Sequence, residues 1–483
     1  MVNVDDSLVC TGHNVLLAGS DAPQPATIII STSSGRITEV LHVHTRRDDM
    51  PGISDDRWID AGNNLVLPGL VDAHVHLNEP GRTDWEGFWT GTRAAASGGV
   101  TTVVDMPLNS IPPTTTVDNL QAKQAAARGQ CFTDVAFWGG VIPKNEPHLK
   151  PLVDAGVKGF KCFLIESGVD EFPCVNETNL HAAMKELQDA PTVLLFHAEL
   201  DSNSTATETS DGQTEPDPAL YETFLHSRPQ TLETDAISLI TRLQQEYPSL
   251  RCHIVHLSAA SALSLIRAAR TRGTKLTVET CFHYLCLSAN DIPNGRPEFK
   301  CCPPIREGEN RELLWKALQD GTIDCVVSDH SPCVAELKSL DDGDIMSAWG
   351  GISTLGLGLS LLWTEGRKRG VTISQIVNWT ATQTALHAGL SDIKGKLDVG
   401  YDGDFIIWDP NATFEVLALI PLEWASVLTF SQVTKESLNF KNKLSPYVGL
   451  TLDGRIISTY LRGNRTFDAV QGFEAVGPIG KLL

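Results

Sequence analysis

The chain has 483 residues, 42% hydrophobic and 20% charged, which is enough for one large folded domain and a smaller one. Its 38 Lys and Arg against 59 Asp and Glu give a net charge of −21, which argues against a nucleic-acid or anionic-membrane partner. A small, neutral or weakly charged substrate is easier to reconcile with this charge. No apolar run approaches the roughly 18 residues of a spanning helix, so we expect no membrane segment.

The order of the predicted elements divides the chain into four parts. Residues 1–64 contain short β-like runs, residues 65–390 alternate strand and helix candidates, residues 391–467 are again strand-like, and residues 468–483 form a tail. The strand candidates of the central part are LVLPGLVDAHVHL, VTTVVDM, FTDVAFWGG, VKGFKCFLI, TVLLFHAE, CHIVHLS, KLTVETC and IDCVVSDHS.

These eight alternations predict an α/β fold, a (β/α)₈ TIM barrel over residues 65–390. The flanking strand-like segments predict a small discontinuous β-sandwich domain that is built from both chain ends. The polar stretch at residues 201–218 contains few apolar residues and predicts an exposed insertion loop.

The location is predicted from the termini and the cysteines. The N-terminus is acidic where a secretory signal would be basic, and the eleven cysteines follow no repeating framework. Both features are typical of a protein from a reducing compartment. The C-terminal GKLL differs from the peroxisomal SKL address, so we expect a cytoplasmic rather than a peroxisomal protein.

Potential metal ligands lie at the predicted carboxyl ends of the barrel strands, where barrel enzymes place their catalytic groups. His74 and His76 are two residues apart at the end of the first strand candidate, so they share one face of it. The fourth, fifth, sixth and eighth candidates add, in that order, Lys161, His197, His256 and Asp329. This common position predicts a metal site.

Lys161 does not fit a simple metal site, because a protonated amine repels a cation and offers no lone pair. A neutral amine can instead add carbon dioxide and become a carbamate, an anion whose two oxygens can bridge two metal ions. Lys161 therefore predicts N6-carboxylation and a binuclear site.

Other histidines compete for the same roles. His253 and His256 are three residues apart, so on a strand only one is expected to face the barrel interior, and His256 is nearer the strand end. His283 and His330 are expected to pack against the ligands or to hydrogen-bond to them.

Several segments resemble the cyclic-amide branch of the amidohydrolase superfamily, which includes dihydroorotases, hydantoinases and allantoinases. These segments are PGLVDAHVH, GGVTTVVDMP, GFKCF, FHAE, SRP, ETCFHYL, KCCPPIR and SDHSPC. Within the branch, HVHLNEPGRTDWEGF, DMPLNSIPPTT and AWGGIS are similar to the allantoinases.

Two departures from the branch bear on the substrate. Dihydroorotases carry a carboxylate-binding arginine two residues beyond the second histidine, where this chain has Asn78. Hydantoinases commonly have a tyrosine shortly after the carboxylated lysine, where this chain continues KCFLIESG. Dihydroorotate is therefore disfavoured as a substrate. Stabilisation of the oxyanion that forms during hydrolysis is expected to depend mainly on a metal.

The resemblance implies how the site is assembled. His74, His76 and Asp329 would bind one divalent ion, His197 and His256 the other, and carboxylated Lys161 would bridge both. Asp329 would also transfer the proton. Zinc is the expected metal, while iron, cobalt and manganese stay open.

The resemblance also implies the reaction, which is the hydrolysis of allantoin to allantoate. Asn109 and Ser331 lie on the same rim and are candidates for contacts with the substrate ring. A homo-oligomer, in particular a homotetramer, is expected. The alternatives are a hydantoinase or dihydropyrimidinase and a non-catalytic scaffold homologue.

Overall fold

The computed structural model describes residues 6–202, 216–417, 432–434, 438–473 and 477–483. In chain order its strands are β1 (Ser7–Val15), β2 (Gln24–Ser31), β3 (Ile37–Leu41), β4 (Trp58–Asp60), β5 (Leu65–Pro68), β6 (Leu70–Val75), β7 (Val100–Asp105), β8 (Asp134–Phe137), β9 (Gly139–Gly140), β10 (Phe160–Phe163), β11 (Val193–His197), β12 (Arg251–Ile254), β13 (Leu276–Cys281), β14 (Cys325–Val327), β15 (Phe405–Leu417), β16 (Gln432–Thr434), β17 (Thr451–Leu461) and β18 (Asn464–Asp468).

The longer helices surround the central strands. They are α1 (Phe88–Ser97), α2 (Val117–Ala127), α3 (Glu146–Asp154), α4 (Glu177–Leu187), α5 (Tyr221–Ser227), α6 (Gln230–Glu246), α7 (Leu263–Thr271), α8 (Phe282–Cys286), α9 (Gly308–Gln319), α10 (Gly358–Gly366), α11 (Ile373–Val377) and α12 (Gln383–His387). Among the described residues, none of these helices has the length and apolar character that crossing a membrane requires.

Strands β6 to β14 form the predicted barrel. The pairs β6 with β7, β7 with β8, and β9 through β14 are all parallel, and Trp138 interrupts one strand position to give β8 and β9. A parallel bridge between Val75 and His330 connects the eighth strand position to the first. The chain therefore confirms the (β/α)₈ architecture that its alternating pattern predicts.

A mixed sheet joins the two chain ends. It contains β1 to β5 from the N-terminal side and β15 to β18 from the C-terminal side. Strand β5 connects these contributions, because it pairs with β1 on one edge and with β15 on the other. Ile28, Phe405 and Tyr460 belong to its separate apolar core. The discontinuous β-domain is thus confirmed, and in the described residues its strands form one hydrogen-bonded sheet.

The first strand candidate, LVLPGLVDAHVHL, is two strands rather than one. Strand β5 belongs to the mixed sheet and β6 to the barrel, with Gly69 between them. A Cβ at Gly69 would lie 2.2 Å from Oγ1 of Thr101, so only glycine permits this approach. The sequence does not reveal that the chain leaves one sheet and enters the other, because both strands are buried.

The helical stretch on either side of the SRP segment, residues 227–229, consists of two helices. Helix α5 ends at Ser227 and α6 begins at Gln230. Pro229 explains the break, because proline lacks an N–H and disfavours helical backbone at the residue before it. Most of the predicted loop at 201–218, namely 203–215, lies outside the described residues.

Buried charges join the barrel to the mixed sheet. Lys394 Nζ lies 2.5 Å from Asp134, 2.7 Å from Asp404 and 2.9 Å from Asp402. Arg462 also contacts Asp134. Because Asp134 begins β8 and Asp404 directly precedes β15, this network fixes the junction beneath the barrel.

Candidate metal centre

The barrel strands end in sharp turns at four polar residues, three of which line one cavity. Asn78, Asn109, His256 and Asp329 have φ angles of 64°, 66°, 39° and 44°. Such left-handed backbone is rare outside glycine and is concentrated at functional sites. These turns let residues beyond the regular strands face the barrel axis.

The first group of donor atoms contains His74, His76 and Asp329. Asp329 Oδ1 lies 3.2 Å from His74 Nε2 and 3.4 Å from His76 Nε2. Two ligands of one tetrahedral ion, each about 2.0 to 2.1 Å from it, are about 3.3 Å apart. The spacing of these donor atoms therefore fits a shared cation.

The second group contains His197 and His256. His197 Nδ1 lies 3.0 Å from His256 Nε2. The other nitrogen of His197, Nε2, lies 2.7 Å from the buried carboxylate of Glu199, and its ring stacks on Phe163 at 4.5 Å. Because Nε2–H donates to Glu199, the lone pair of Nδ1 points toward His256.

An unpartnered nitrogen supports a cation at the first group. Within the described chain, His74 Nε2 is buried and has no hydrogen-bond partner. His74 Nδ1 lies 2.5 Å from Glu279 Oε1. When Nδ1 donates to this carboxylate, Nε2 of His74 carries a lone pair, and it faces the lone pairs of Asp329 Oδ1. A cation between them would satisfy both atoms.

The protonation state of the histidines also suits metal binding. Burial, followed by the charge of Lys161, lowers the pKa of His74 and of His256 well below the usual histidine value. Metal binding requires neutral imidazole. The site therefore holds these side chains in the form that binds metal.

Lys161 is buried in the wall of the same cavity. Burial lowers the pKa of its amine from 10.5 to about 8. At neutral pH a larger fraction of this amine is thus unprotonated than for an exposed lysine, which is the form that reacts with carbon dioxide.

The cavity has a volume of about 790 Å³, which is within the range of small-molecule sites. All eight residues that the sequence singles out line it: His74, His76, Asn109, Lys161, His197, His256, Asp329 and Ser331. Asn78 does not line it, because its side chain is buried and donates to the carbonyl of Pro332 at 3.4 Å.

Asn109 and Ser331 differ in the polar groups that remain available. Asn109 has a buried Oδ1 with no hydrogen-bond partner among the described residues, and its Nδ2 lies 3.4 Å from His76 Nδ1. The backbone N–H of Ser331 donates to the carbonyl of Ile352 at 3.1 Å. A backbone donor at Ser331 is therefore already used, whereas its side chain faces the cavity.

The sequence analysis does not identify two buried carboxylates that contact the proposed ligands. Glu279 lies behind His74, and Glu199 lies behind His197, where Arg228 from the SRP segment also binds it at 2.5 Å. The signal that could have revealed Glu279 is a lone charge inside a buried strand, LTVETC. A charged group there requires partners, because burial of an unpaired charge is costly.

His253 corrects one expectation. Both His253 and His256 contact Glu279, His253 through Nε2 at 3.1 Å and His256 through its backbone N–H at 3.3 Å. Strict alternation fails because β12 ends at Ile254 and His256 has left-handed backbone. Both residues therefore face the barrel interior, at different depths.

His330 and His283 lie next to Asp329 in different settings. His330 Nδ1 accepts from the backbone N–H groups of Thr354 and Leu355, and its Nε2 lies 3.3 Å from Glu86. His283 is buried close to Asp329, and burial lowers its pKa to about 4. The side chain of His330 thus contacts residues outside the predicted ligand set, while its backbone carbonyl accepts from the N–H of His76 at 2.8 Å.

The segment EPGRTDWEGF connects the loops over the cavity instead of lining it. Arg82 donates to the carbonyl of Asn109 at 2.9 Å, pairs with Glu171 at 2.5 Å and lies over the ring of Trp85. Trp85 packs edge-on against Trp349, which does line the cavity. Arg82 thus fixes the backbone of a candidate substrate-contacting residue.

A barrel whose strand ends bring these donor groups to one cavity is typical of hydrolases of the amidohydrolase type. The Amidohydrolase family model matches residues 65–466, and the chain belongs to this family.

Known proteins of similar sequence are named as allantoinases. The chain is 45% identical over 479 residues to an allantoinase from Saccharomyces cerevisiae, covering 98% of each chain. It is 45% identical over 463 residues to an allantoinase from Streptomyces avermitilis, covering 96% of each.

Among solved structures, an L-hydantoinase (dihydropyrimidinase) from Arthrobacter aurescens is similar with a TM-score of 0.85 at 27% identity. The alignment covers 98% of this chain and 99% of that chain. The predicted family, fold and enzyme class are therefore confirmed.

Proposed function

We propose that the protein is an allantoinase, which opens the five-membered ring of allantoin with one water molecule to give allantoate. The observation that carries the proposal is the convergence of metal-ligating side chains from different strand ends on the wall of one cavity. Near full-length similarity to allantoinases of a yeast and a bacterium supports the choice of substrate.

Two divalent ions are proposed at the site. His74, His76 and Asp329 would hold one, His197 and His256 the other, and carboxylated Lys161 would contribute an oxygen to each. Zinc suits this nitrogen-rich set, although iron, cobalt or manganese also accept imidazole and carboxylate. Bound there, the ions would activate water and polarise the scissile carbonyl.

Asp329 is the proposed proton carrier. Its carboxylate is largely buried but borders the cavity, and it has no lysine or arginine within salt-bridge distance among the described residues. It would take one proton from the attacking water as the water oxygen bonds to the ring carbonyl carbon. The same proton would pass to the ring nitrogen as the C–N bond breaks. This leaves a ureido group and a carboxylic acid, which becomes a carboxylate when it releases the second water proton to solvent.

Asn109 is proposed to contact the substrate. If His76 uses Nε2 as a ligand atom, its Nδ1 carries hydrogen and requires an acceptor, whereas the group 3.4 Å from it is the Nδ2 donor of Asn109. Rotation of the amide by half a turn supplies that acceptor and directs the NH₂ group elsewhere. This NH₂ would donate to a substrate carbonyl, and Ser331 would contact the ring through its hydroxyl.

The cavity argues against an anionic substrate such as dihydroorotate. Asn78 lies where an arginine would bind the carboxylate, and its side chain is turned to Pro332. The acidic net charge of −21 also disfavours an anionic substrate and favours release of the anionic product.

Two further parts of the proposal concern the protein as a whole. We propose that it is a homotetramer, and that it acts in the cytoplasm. Light scattering after size-exclusion chromatography tests the first, and microscopy of the tagged protein tests the second.

The function is tested by comparing turnover of allantoin, hydantoin, dihydrouracil and dihydroorotate under identical conditions, with the products identified by mass. We expect allantoin to give the highest kcat/KM and allantoate as the product. Preference for hydantoin or dihydrouracil would replace the proposal with a hydantoinase or dihydropyrimidinase. No turnover of any of them, in a sample that binds no metal, would indicate a non-catalytic homologue.

A further inference from the structure

Glu279 contacts both proposed ligand groups. Its side chain is completely buried on β13, a strand that supplies none of the proposed metal ligands. Its Oε1 lies 2.5 Å from His74 Nδ1, in the first group, and 3.3 Å from the backbone nitrogen of His256, in the second. One carboxylate oxygen therefore touches both groups.

The contact with His74 determines which nitrogen can bind metal. A neutral imidazole has one N–H and one lone pair, so donation from Nδ1 to Glu279 leaves the lone pair on Nε2, facing Asp329. A carboxylate behind a ligating histidine fixes both its tautomer and the orientation of its ring. Glu279 is thus placed to prepare His74 for binding.

The contact with His256 acts on the backbone. The left-handed conformation of His256, with φ of 39°, is strained and persists only where its surroundings hold it. The N–H of that same residue donates to Glu279. Glu279 therefore helps to hold the turn that brings the His256 ring beside His197.

Glu279 is itself held in place from beneath. Its second oxygen, Oε2, lies 3.1 Å from Nε2 of His253. His253 Nδ1 lies 2.7 Å from the hydroxyl of Thr277, and its ring stacks on His387 with centroids 3.7 Å apart. Three donors thus converge on the two oxygens of one carboxylate, which leaves it little freedom to move.

We infer that Glu279 is a positioning residue for both metal ions, whereas Glu199 positions a ligand of only one. Glu199 is equally buried, and it contacts His197 and Arg228. Glu199 touches no residue of the His74, His76 and Asp329 group in the hydrogen bonds of the described chain. The inference rests on the proposed binuclear site and specifies what organises it.

The matched substitutions Glu279→Gln and Glu199→Gln separate the two roles. Metal-stripped proteins are titrated with Zn²⁺ in competition with a chromophoric chelator, which gives two dissociation constants per chain. The absorption spectrum of the Co²⁺-loaded proteins is recorded as a second readout. Loss of such a supporting contact typically weakens metal binding by about 10- to 100-fold.

We expect Glu279→Gln to weaken both sites and Glu199→Gln to weaken one. Glu233→Gln serves as the control, because Glu233 is a buried carboxylate whose partners are Arg306 and the backbone of Ser258 and Ala259. This control should lose thermal stability and keep wild-type metal affinities. Unchanged affinities in Glu279→Gln, or a change at one site only, would overturn the inference.

If Glu279→Gln fails to fold, Glu279→Asp provides the test, because it keeps the charge but withdraws the oxygens by one methylene group. It should also weaken both sites, and wild-type affinity at either site would overturn the inference. Wild-type protein that binds fewer than two Zn²⁺ ions would refute the proposed binuclear site itself. Failure of the inference is therefore distinct from failure of the proposed function.

Discussion

The proposed carboxylation of Lys161 predicts how the recovery of activity after removal of the metals depends on pH. Only the neutral amine reacts with carbon dioxide. With a pKa of about 8, the neutral fraction of Lys161 is about 10% at pH 7 and about 90% at pH 9. The rate of carboxylation should therefore increase about tenfold between these pH values and then level off, because protonation slows the reaction at low pH.

An ordinary lysine would behave differently. With the unshifted pKa of 10.5, the neutral fraction would rise about a hundredfold between pH 7 and pH 9 and would continue to rise above it. The size and curvature of the pH dependence thus report whether the reacting amine is buried as Lys161 is.

The assay follows the recovery of allantoin hydrolysis after Zn²⁺ is added to stripped enzyme. The concentration of dissolved carbon dioxide is held constant at each pH, and activity is read in aliquots transferred to one common pH. Lys161→Ala is the control and should not recover unless a short carboxylic acid is supplied. Recovery that is independent of carbon dioxide, or that rises a hundredfold, would refute the reasoning.

Three substitutions test other parts of the account. Asp329→Asn should lower kcat by about 100-fold or more while metal is still largely bound, because it removes proton transfer, and unchanged kcat would exclude that role. Asn109→Ala should reduce kcat/KM for allantoin about tenfold through one lost hydrogen bond, with metal content unchanged, and an unaltered kcat/KM would remove Asn109 from the substrate site. Lys394→Met should lower the free energy of unfolding by about 3 to 5 kcal/mol because it leaves the buried carboxylate of Asp404 without its cationic partner. Lys368→Met, the control at an exposed pair, should cost under about 0.5 kcal/mol, and equal denaturation midpoints would contradict this.

The barrel was predictable because its signals are local. Alternating apolar and amphipathic segments predict the strands, and the rule that parallel strands end at one rim predicts that His74, Lys161, His197 and Asp329 meet. All four line the same cavity. Position along the chain was sufficient here, because each of these residues lies within or just beyond a barrel strand.

The groups behind the ligands were not predictable in the same way. The contact between His74 and Glu279 joins residues 205 positions apart, and the one between Arg82 and Glu171 joins residues 89 apart. Neither pairing follows from periodicity, since it depends on the register of the closed barrel and on loop paths. The fold alone determines which carboxylate meets which histidine.

Backbone turns limited the prediction at two positions. The alternation rule assumes extended strand, and it fails at His256, where left-handed backbone reverses the direction of the side chain. The prediction of one continuous strand also fails at Gly69, where the chain passes from the mixed sheet into the barrel. A periodic pattern does not reveal either change, because the apolar residues continue through it.

We propose that a binuclear metal centre in this cavity hydrolyses allantoin. The most direct test measures allantoin turnover against metal content, as Zn²⁺ is added stepwise to stripped enzyme that is carboxylated at Lys161. We expect turnover to reach its maximum at two ions per chain, with allantoate as the product. A maximum at one ion per chain, or turnover in the metal-free protein, would contradict it.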